Sequence, residues 1–418
     1  MKIKQIITTS LGNTLEWLDF GMFIYFTPII GEKFFHSQDK VTNTLAVVSV
    51  FAAGFICRPL GGIIFGHAGD VHGRASTLRL SILLITLCTL LIGCLPTYEQ
   101  IGIASPVIFI LLRLIQGISV GGEYSGVMIY LAESAPSDRR GFITSFAAIG
   151  ANVGFLLASL SLVLMNYFFT KQSLSDWGWR LPFLLIGAFG TLIFYLRFHL
   201  IETSVFTLLK KQHHLERLPL LTALHYAPKQ LLKILGLTCL GASLYYVFFG
   251  YMPTYMNLYL NVEKNTALFL QSFFLTVMLI LVPLAGFCGD KIGRKRMLIC
   301  VAIATVLLAI PIFFLLYSKS LFIIFIAFAM ATTLSSIEQG NTLCAVVENC
   351  PANVRYSGIA LSYNLGNAVF GGTAPIIITL LTEKIGLIAP AFYLLIMAGL
   401  TFIAACTLLA KADINQYL

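Results

Sequence analysis

PVIFILLRLIQGISVGGEYSGVMIYLAE, residues 106–133, is long and apolar enough to cross a bilayer, yet it carries Arg113, Gln116, Glu123 and Tyr124. An ionised arginine or glutamate at membrane depth costs roughly 2.5–3.5 kcal/mol on insertion scales, so such groups face a polar cavity or a partner. Arg113 and Glu123 stand about 15 Å apart along a helix, too far to pair with each other. At helical spacing, positions 113, 116, 120, 123 and 124 share one side, which is predicted to face a wet interior. Gly117, Gly121, Gly122 and Gly126 thin the helix and admit close neighbours. The bland alternative is a buried polar network that only joins helices. Recurrence of the same pattern in other spans favours the cavity.

Working outward, the 418 residues are 58% hydrophobic and 11% charged, with a mean hydropathy of +0.88. Soluble proteins carry about 25% charged residues, so the class is an all-α polytopic membrane protein embedded in a lipid bilayer. The net charge of +9 is spread over short loops and forms no patch for nucleic acid. The nine cysteines show no CxxC or metal spacing, and they read as small core residues. Neither a metal nor an organic cofactor is expected. His213 and His214 read as a solvated linker face. Met1–Ser10 is short and polar, so no cleavable signal is expected.

Twelve apolar runs follow one another, near 11–35, 44–68, 78–98, 105–133, 142–167, 181–200, 231–259, 268–288, 297–316, 320–346, 356–381 and 388–410. The one sizeable loop divides the chain into a six-helix bundle (1–200), a linker (201–230) and a second six-helix bundle (231–418). With the N-terminus placed inside, eighteen of the 27 Lys and Arg residues fall on that side and seven on the other, leaving Arg58 and Arg113 within spans. The positive-inside rule therefore predicts that both termini and the linker are cytoplasmic.

The halves share a repeat. Gly66, Asp70, Gly73 and Arg74 follow the second run, and Gly286, Asp290, Gly293 and Arg294 follow the eighth, each 220 residues later. Matching loops at matching places in two six-span halves indicate a parallel internal repeat. The glycines suit a tight turn, while Asp and Arg suit charge-assisted contacts across the bundle. Ser137–Gly141 and Asn353–Arg355 occupy corresponding loops before spans five and eleven and read as gate or latch contacts.

At these residues the chain resembles the major facilitator superfamily. The second loop copy matches its GxxxDxxGR motif fully; the first has Val71 where a base is usual. GNTLEWLDFGMFIYFTPIIGEKFF (Gly12–Phe35), RPLGGIIFGHAGD (Arg58–Asp70), RLIQGISVGGEY (Arg113–Tyr124), DWGWRLPF (Asp176–Phe183) and VRYSGIALSYNLGNAVFGGTAP (Val354–Pro375) resemble the metabolite:proton symporter family more narrowly. The resemblance covers nearly the whole chain. It implies a proton-driven uptake carrier of the bacterial inner membrane, functional as a monomer, with spans 1, 4, 7 and 10 around the central cavity. Its members carry proline and betaine, α-ketoglutarate, citrate or shikimate. Osmosensing members can bear a coiled-coil tail. Here about eight residues follow the last run, so regulation through such a tail is not expected.

Counting 1.5 Å per residue from the span ends places Asp19, Arg58, Glu123, Asn152, Glu338, Asn364 and Asn367 near one level, with Arg113 about 15 Å outward of Glu123. Proton coupling needs a carboxylate whose surroundings alternate between dry and wet, opposed by a nearby cation. Asp19 and Glu123 are the candidates, with Arg58 as counter-charge and Glu16 in reserve; a fixed Asp19–Arg58 pair is the structural alternative. For the substrate, Arg113 suits bidentate capture of a carboxylate. Gln116, Tyr124, Asn152, Tyr245, Tyr246, Glu338, Gln339, Tyr363, Asn364 and Asn367 offer hydrogen bonds. Tyrosine or Trp17 faces suit a quaternary ammonium. Carboxylates with aromatics fit a zwitterion; two buried arginines fit a mono- or dicarboxylate equally well. The reading is a proton-coupled symporter. Its rivals are a proton-coupled exporter of drugs or metabolites and a transporter-like sensor. Neither a nucleotide-binding GxxxxGK[ST] run nor a catalytic constellation is present, so neither an ATPase nor another enzyme is expected.

Overall fold

The computed structural model describes residues 3–35, 40–318 and 320–408. The charges Lys2, Lys319 and Lys411, and the tail beyond Leu408, lie outside the described residues. The chain forms twelve long helices: α1 (Ile3–Phe34), α2 (Lys40–Val71), α3 (Arg74–Cys94), α4 (Ala104–Ser134), α5 (Ser137–Phe168), α6 (Arg180–Arg197), α7 (Pro228–Tyr259), α8 (Lys264–Ile292), α9 (Arg294–Leu316), α10 (Leu321–Glu348), α11 (Ala352–Lys384) and α12 (Pro390–Cys406). Among the described residues, nine of these are long and apolar enough to cross a membrane, α12 is a shorter apolar helix, and no strand is present. Leu307 on α9, Leu185 on α6 and Ile396 on α12 lie on outward faces, as expected where lipid replaces water.

Most boundaries fall close to the apolar runs. α1 is the exception and begins eight residues before its run. Its polar first turns are held by the bundle: Thr9 and Ser10 are buried, and the Thr9 carbonyl accepts 3.0 Å from Arg197 Nη2. Prolines open α7 and α12, where a missing N–H costs nothing. The 201–230 stretch holds two short helices, Ser204–Lys211 and Pro219–Tyr226.

α2 and α4 approach backbone to backbone. A Cβ on Gly117 would stand 2.3 Å from the Gly54 carbonyl oxygen, and one on Gly121 would stand 2.1 Å from that of Arg58. The small residues of the 106–133 stretch thus seat α4 on α2. The two groups of six helices meet chiefly where α2 packs on α11 and where α8 packs on α5.

The repeated loops hold one end of this contact. Gly73 (φ +112°) and Gly293 (φ +103°) adopt backbone conformations that a side chain would strain. Asp70 accepts from the Tyr356 and Ser357 N–H groups at 3.0 and 2.8 Å, at the start of the long helical run of α11. Asp290 mirrors it, accepting from Gly141 and Phe142 N–H in α5 at 2.7 and 2.9 Å. Two buried carboxylates complete the clasps. Glu133, at the end of α4, accepts from Arg355 at 2.8 Å and Arg74 at 3.4 Å. Glu348, at the end of α10, accepts from Arg140 at 3.1 Å and is ion-paired with Arg294 at 3.3 Å. Each half therefore closes on a helix start of the other by the same set of residue types.

Candidate functional site

A cavity opens between the halves, inward of the clasps. Trp17 of α1, Arg58 of α2, Tyr124 of α4 and Asn152 of α5 line it from the first half. Tyr245 and Tyr246 of α7, Glu338 and Gln339 of α10, and Tyr363, Asn364 and Asn367 of α11 line it from the second. The depth count from sequence placed five of these, Arg58, Asn152, Glu338, Asn364 and Asn367, at one level, and the structure brings them around one space.

Aromatic contacts between the halves wall the cavity. Tyr124 stacks on Tyr363 with centroids 5.5 Å apart and planes within 8°. Trp17 meets Tyr245 edge-on at 5.7 Å, and Phe55 meets Tyr246 at 6.1 Å. Inside this wall, buried polar atoms lack a hydrogen-bond partner among the described residues: Trp17 Nε1, both amide atoms of Asn152, and the hydroxyls of Tyr245 and Tyr246. Groups left so are costly unless water or a ligand meets them. Asn364 is already committed, donating to the Gly121 and Ala360 carbonyls at 2.7 Å each.

Glu338 is 1% exposed and accepts from Thr342 at 2.5 Å. Among the described residues, no cation stands within ion-pair distance of it. A Cβ on Gly241 would fall 2.2 Å from its Oε2, so α7 makes room for the carboxylate with a glycine. Arg58, from the other half, lies with its guanidinium carbon 4.0 Å over the Phe55 ring, and its charge is opposed only loosely, by Glu16 at 4.0 Å.

A second chamber lies within the first half, lined by Glu16, Asp19, Arg58, Arg113 and Gln116. Here the structure corrects four expectations. Arg113 does not line the central cavity and is already ion-paired: Nη1 donates to Asp19 Oδ2 at 2.8 Å, and the guanidinium lies over Phe23. Gln116 turns away from the central cavity and donates to Thr89 at 2.8 Å; Thr89 in turn donates to Asp19 at 3.0 Å. Arg58 is the counter-charge of neither Asp19 nor Glu123, because its ionic neighbour is Glu16. Glu123 does not face a wet interior either. It is fully buried in a bidentate pair with Arg197 and also accepts from Ser81. The position that reads as cavity-facing on a helical wheel is turned toward α3 and α6 because a cation from α6 meets it there.

Arg197, Glu133 and Glu348 escaped the sequence reading. Arg197 sits at the end of its run and reads as a loop charge. Glu133 and Arg140 recur as Glu348 and Arg355, each 215 residues later, and that offset was the available signal. Among the described residues, no cluster of three or more metal-ligating side chains occurs.

The model of the Major Facilitator Superfamily matches residues 9–372 and, in a second match, 234–413. The glycine betaine/proline/ectoine/pipecolic acid transporter OusA of Dickeya dadantii is 32% identical, over 94% of this chain and 81% of its own length. The proline/betaine transporter of Escherichia coli K12 is 32% identical, over 98% and 84%. A putative proline/betaine transporter of Staphylococcus haemolyticus is 34% identical, over 97% and 87%. Among solved structures, the proton:xylose symporter XylE bound to 6-bromo-6-deoxy-D-glucose superposes with a TM-score of 0.76 at 17% identity, covering 96% of this chain and 94% of XylE. XylE in its inward open conformation superposes with a TM-score of 0.64, covering 99% and 98%. At that identity the likeness shows the fold.

Proposed function

The chain belongs to the Major Facilitator Superfamily, and we propose that it is a proton-coupled symporter importing a small zwitterion, proline or glycine betaine in kind, by alternating access. One observation carries the choice of substrate class. The central cavity presents a loosely opposed cation, Arg58, on one half and an unpaired carboxylate, Glu338, on the other, within an aromatic enclosure. A carboxylate held by Arg58 and an ammonium held by Glu338 and the tyrosine faces would satisfy both walls at once. The curated relatives transport molecules of this kind. A dicarboxylate is less well served, because the second arginine, Arg113, is spent on Asp19.

The carrier acts in a bacterial inner membrane as a monomer, with the proton as its coupling ion, no cofactor and no catalysed reaction. With both termini cytoplasmic, the clasped end is the cytoplasmic one and the structure is a state closed to the cytoplasm. A substrate touching both halves draws them together, and the clasps must part for release inward.

The deciding experiment is uptake into proteoliposomes under an imposed inward proton gradient, with labelled proline, glycine betaine, α-ketoglutarate, citrate and shikimate. Protonophore-sensitive accumulation of proline or betaine is expected. Accumulation of a carboxylate alone would overturn the zwitterion reading, and uptake only under a reversed gradient would favour an exporter.

A further inference from the structure

The first half holds three buried carboxylates near mid-depth, and they are not equivalent. Asp19 is met by Arg113 at 2.8 Å and by Thr89 at 3.0 Å. Glu123 is met by both Nη atoms of Arg197 and by Ser81. Glu16 has neither oxygen hydrogen-bonded, and its one cation stands at 4.0 Å, beyond hydrogen-bond reach. Its other charged neighbours are Asp19, Glu123 and Arg197, with Arg113 across the chamber. Those four groups already form two close pairs. The hydroxyls of Tyr124 and Tyr246 complete the surroundings. Among the described residues, Arg58 is therefore the cation near Glu16 that no closer carboxylate already holds.

Arg58 lines both spaces, the Glu16 chamber and the central cavity. Glu16 lines only the first. We infer that Arg58 is handed from Glu16 to the substrate: the incoming carboxylate takes the guanidinium, and Glu16, left without a cation, takes up one proton from the bulk solvent on the side from which the substrate enters. The balance is simple. Before binding, Arg58 and ionised Glu16 offset each other. Afterwards Arg58 and the substrate carboxylate offset each other, Glu16 is neutral with a new O–H bond, and one proton has entered with the substrate. Glu16 would then have neither a cation nor a hydrogen-bond donor, whereas Glu338 keeps the Thr342 hydroxyl and gains the substrate's ammonium, so proton and substrate become companions at Glu16. The inference rests on the reading of the cavity as a site for a carboxylate-bearing zwitterion, and it identifies Glu16, rather than Asp19 or Glu123, as the proton carrier.

The test is calorimetric. Glycine betaine is titrated into the purified full-length protein in nanodiscs, in pairs of buffers with different ionisation heats, at several pH values. The difference between buffers counts protons taken up per molecule bound. Wild type is expected to take up as much as one proton, with affinity falling as pH rises, up to tenfold per pH unit. Glu16→Gln, whose Arg58 is already free, is expected to bind betaine with no proton uptake and no pH slope. In vesicles it should exchange betaine but not accumulate it. Betaine binding with undiminished proton uptake in Glu16→Gln overturns the handover alone. Failure of wild type to bind either betaine or proline overturns the reading of the cavity, and the handover with it. Should the variant not fold, wild type decides. Choline carries the same ammonium with an alcohol in place of the carboxylate, and it should displace betaine without proton uptake. Equal uptake with the two ligands, or no displacement at any concentration, overturns the proposal.

Discussion

Asp70→Asn tests the clasp between the halves and is nearly isosteric. In the closed state Asp70 accepts two backbone N–H bonds at the start of α11 and pairs with Arg74 at 3.1 Å, all without solvent. The amide retains one acceptor oxygen, so one N–H loses its partner and the favourable charge at a helix N-terminus disappears. A hydrogen bond to a charged group contributes about 1.5–3 kcal/mol, and a charge at a helix terminus about 0.3–1 kcal/mol. Arg74 keeps Glu133 and the Ala352 carbonyl, so it is not stranded. The net loss is about 2–3 kcal/mol from the closed state alone, since the contacts cross between halves. At 1.4 kcal/mol per tenfold, that is roughly a 30- to 140-fold rise in the open population. The reporter is Ala360→Cys, fully buried on α11 beside Gly62 of α2, in a background with the exposed Cys94, Cys300 and Cys406 changed to serine. Native Cys350, in the α10–α11 loop, competes little, because burial pushes its thiol up to about 12. Labelling by a hydrophilic maleimide should accelerate by that factor. Asp290→Asn, through the mirrored clasp, should do the same. An acceleration below about threefold in both folded variants would show that α2–α11 and α5–α8 packing, and not the clasps, holds this end shut.

Three further outcomes follow from the same contacts. Glu338→Gln removes the one unpaired carboxylate of the cavity; betaine affinity should fall about ten- to 150-fold, the worth of one charged contact of about 1.5–3 kcal/mol, as read by calorimetry. Gly12→Ala places a Cβ about 1.9 Å from Arg197 Nη2 and 2.0 Å from Glu123 Oε1; disturbing that buried pair should cost about 3–5 kcal/mol and lower the melting temperature in a thermal scan. Tyr124→Ala breaks the stack with Tyr363 across the halves and should weaken betaine binding by about 0.5–1.5 kcal/mol beyond the lost area, measured against Tyr124→Phe, which keeps the stack.

What the sequence disclosed and what it hid divide along a physical line. Periodic, local or repeated features were legible. The apolar runs set the helices, the 220-residue offset placed both loop aspartates, and the glycines of 106–133 announced the close contact with α2. Depth along a helix was legible too, since rise per residue is constant; Arg58, Asn152, Glu338 and Asn367 do meet at one level. Rotation about the helix axis and choice of partner were not. Glu123 and Tyr124 are adjacent, yet Tyr124 faces the cavity while Glu123 is fully buried against Arg197. A buried carboxylate settles on whichever cation the tertiary packing delivers, and Arg197 is delivered by a helix end more than 70 residues away. The same holds for Arg113, whose partner Asp19 is 94 residues distant.

Pairing also explains why the two halves divide the work. The first half satisfies its own charges: Asp19 with Arg113, Glu123 with Arg197, and Glu16 loosely with Arg58. Such closed pairs cost little to carry through a rocking motion, because no partner crosses the interface. The second half brings a lone carboxylate, Glu338, and a set of tyrosines, which lack a complementary charge until something occupies the cavity. The clasps show the opposite logic, for Glu133 and Glu348 draw cations from both halves and so resist separation. Charges that cross between halves hold a state, whereas charges that wait within one half select a ligand. Arg58 lines both chambers and is met only loosely by Glu16. A ligand carboxylate that drew Arg58 toward the cavity would disturb only the first half's loosest pair, leaving the close pairs of α1, α4 and α6 intact.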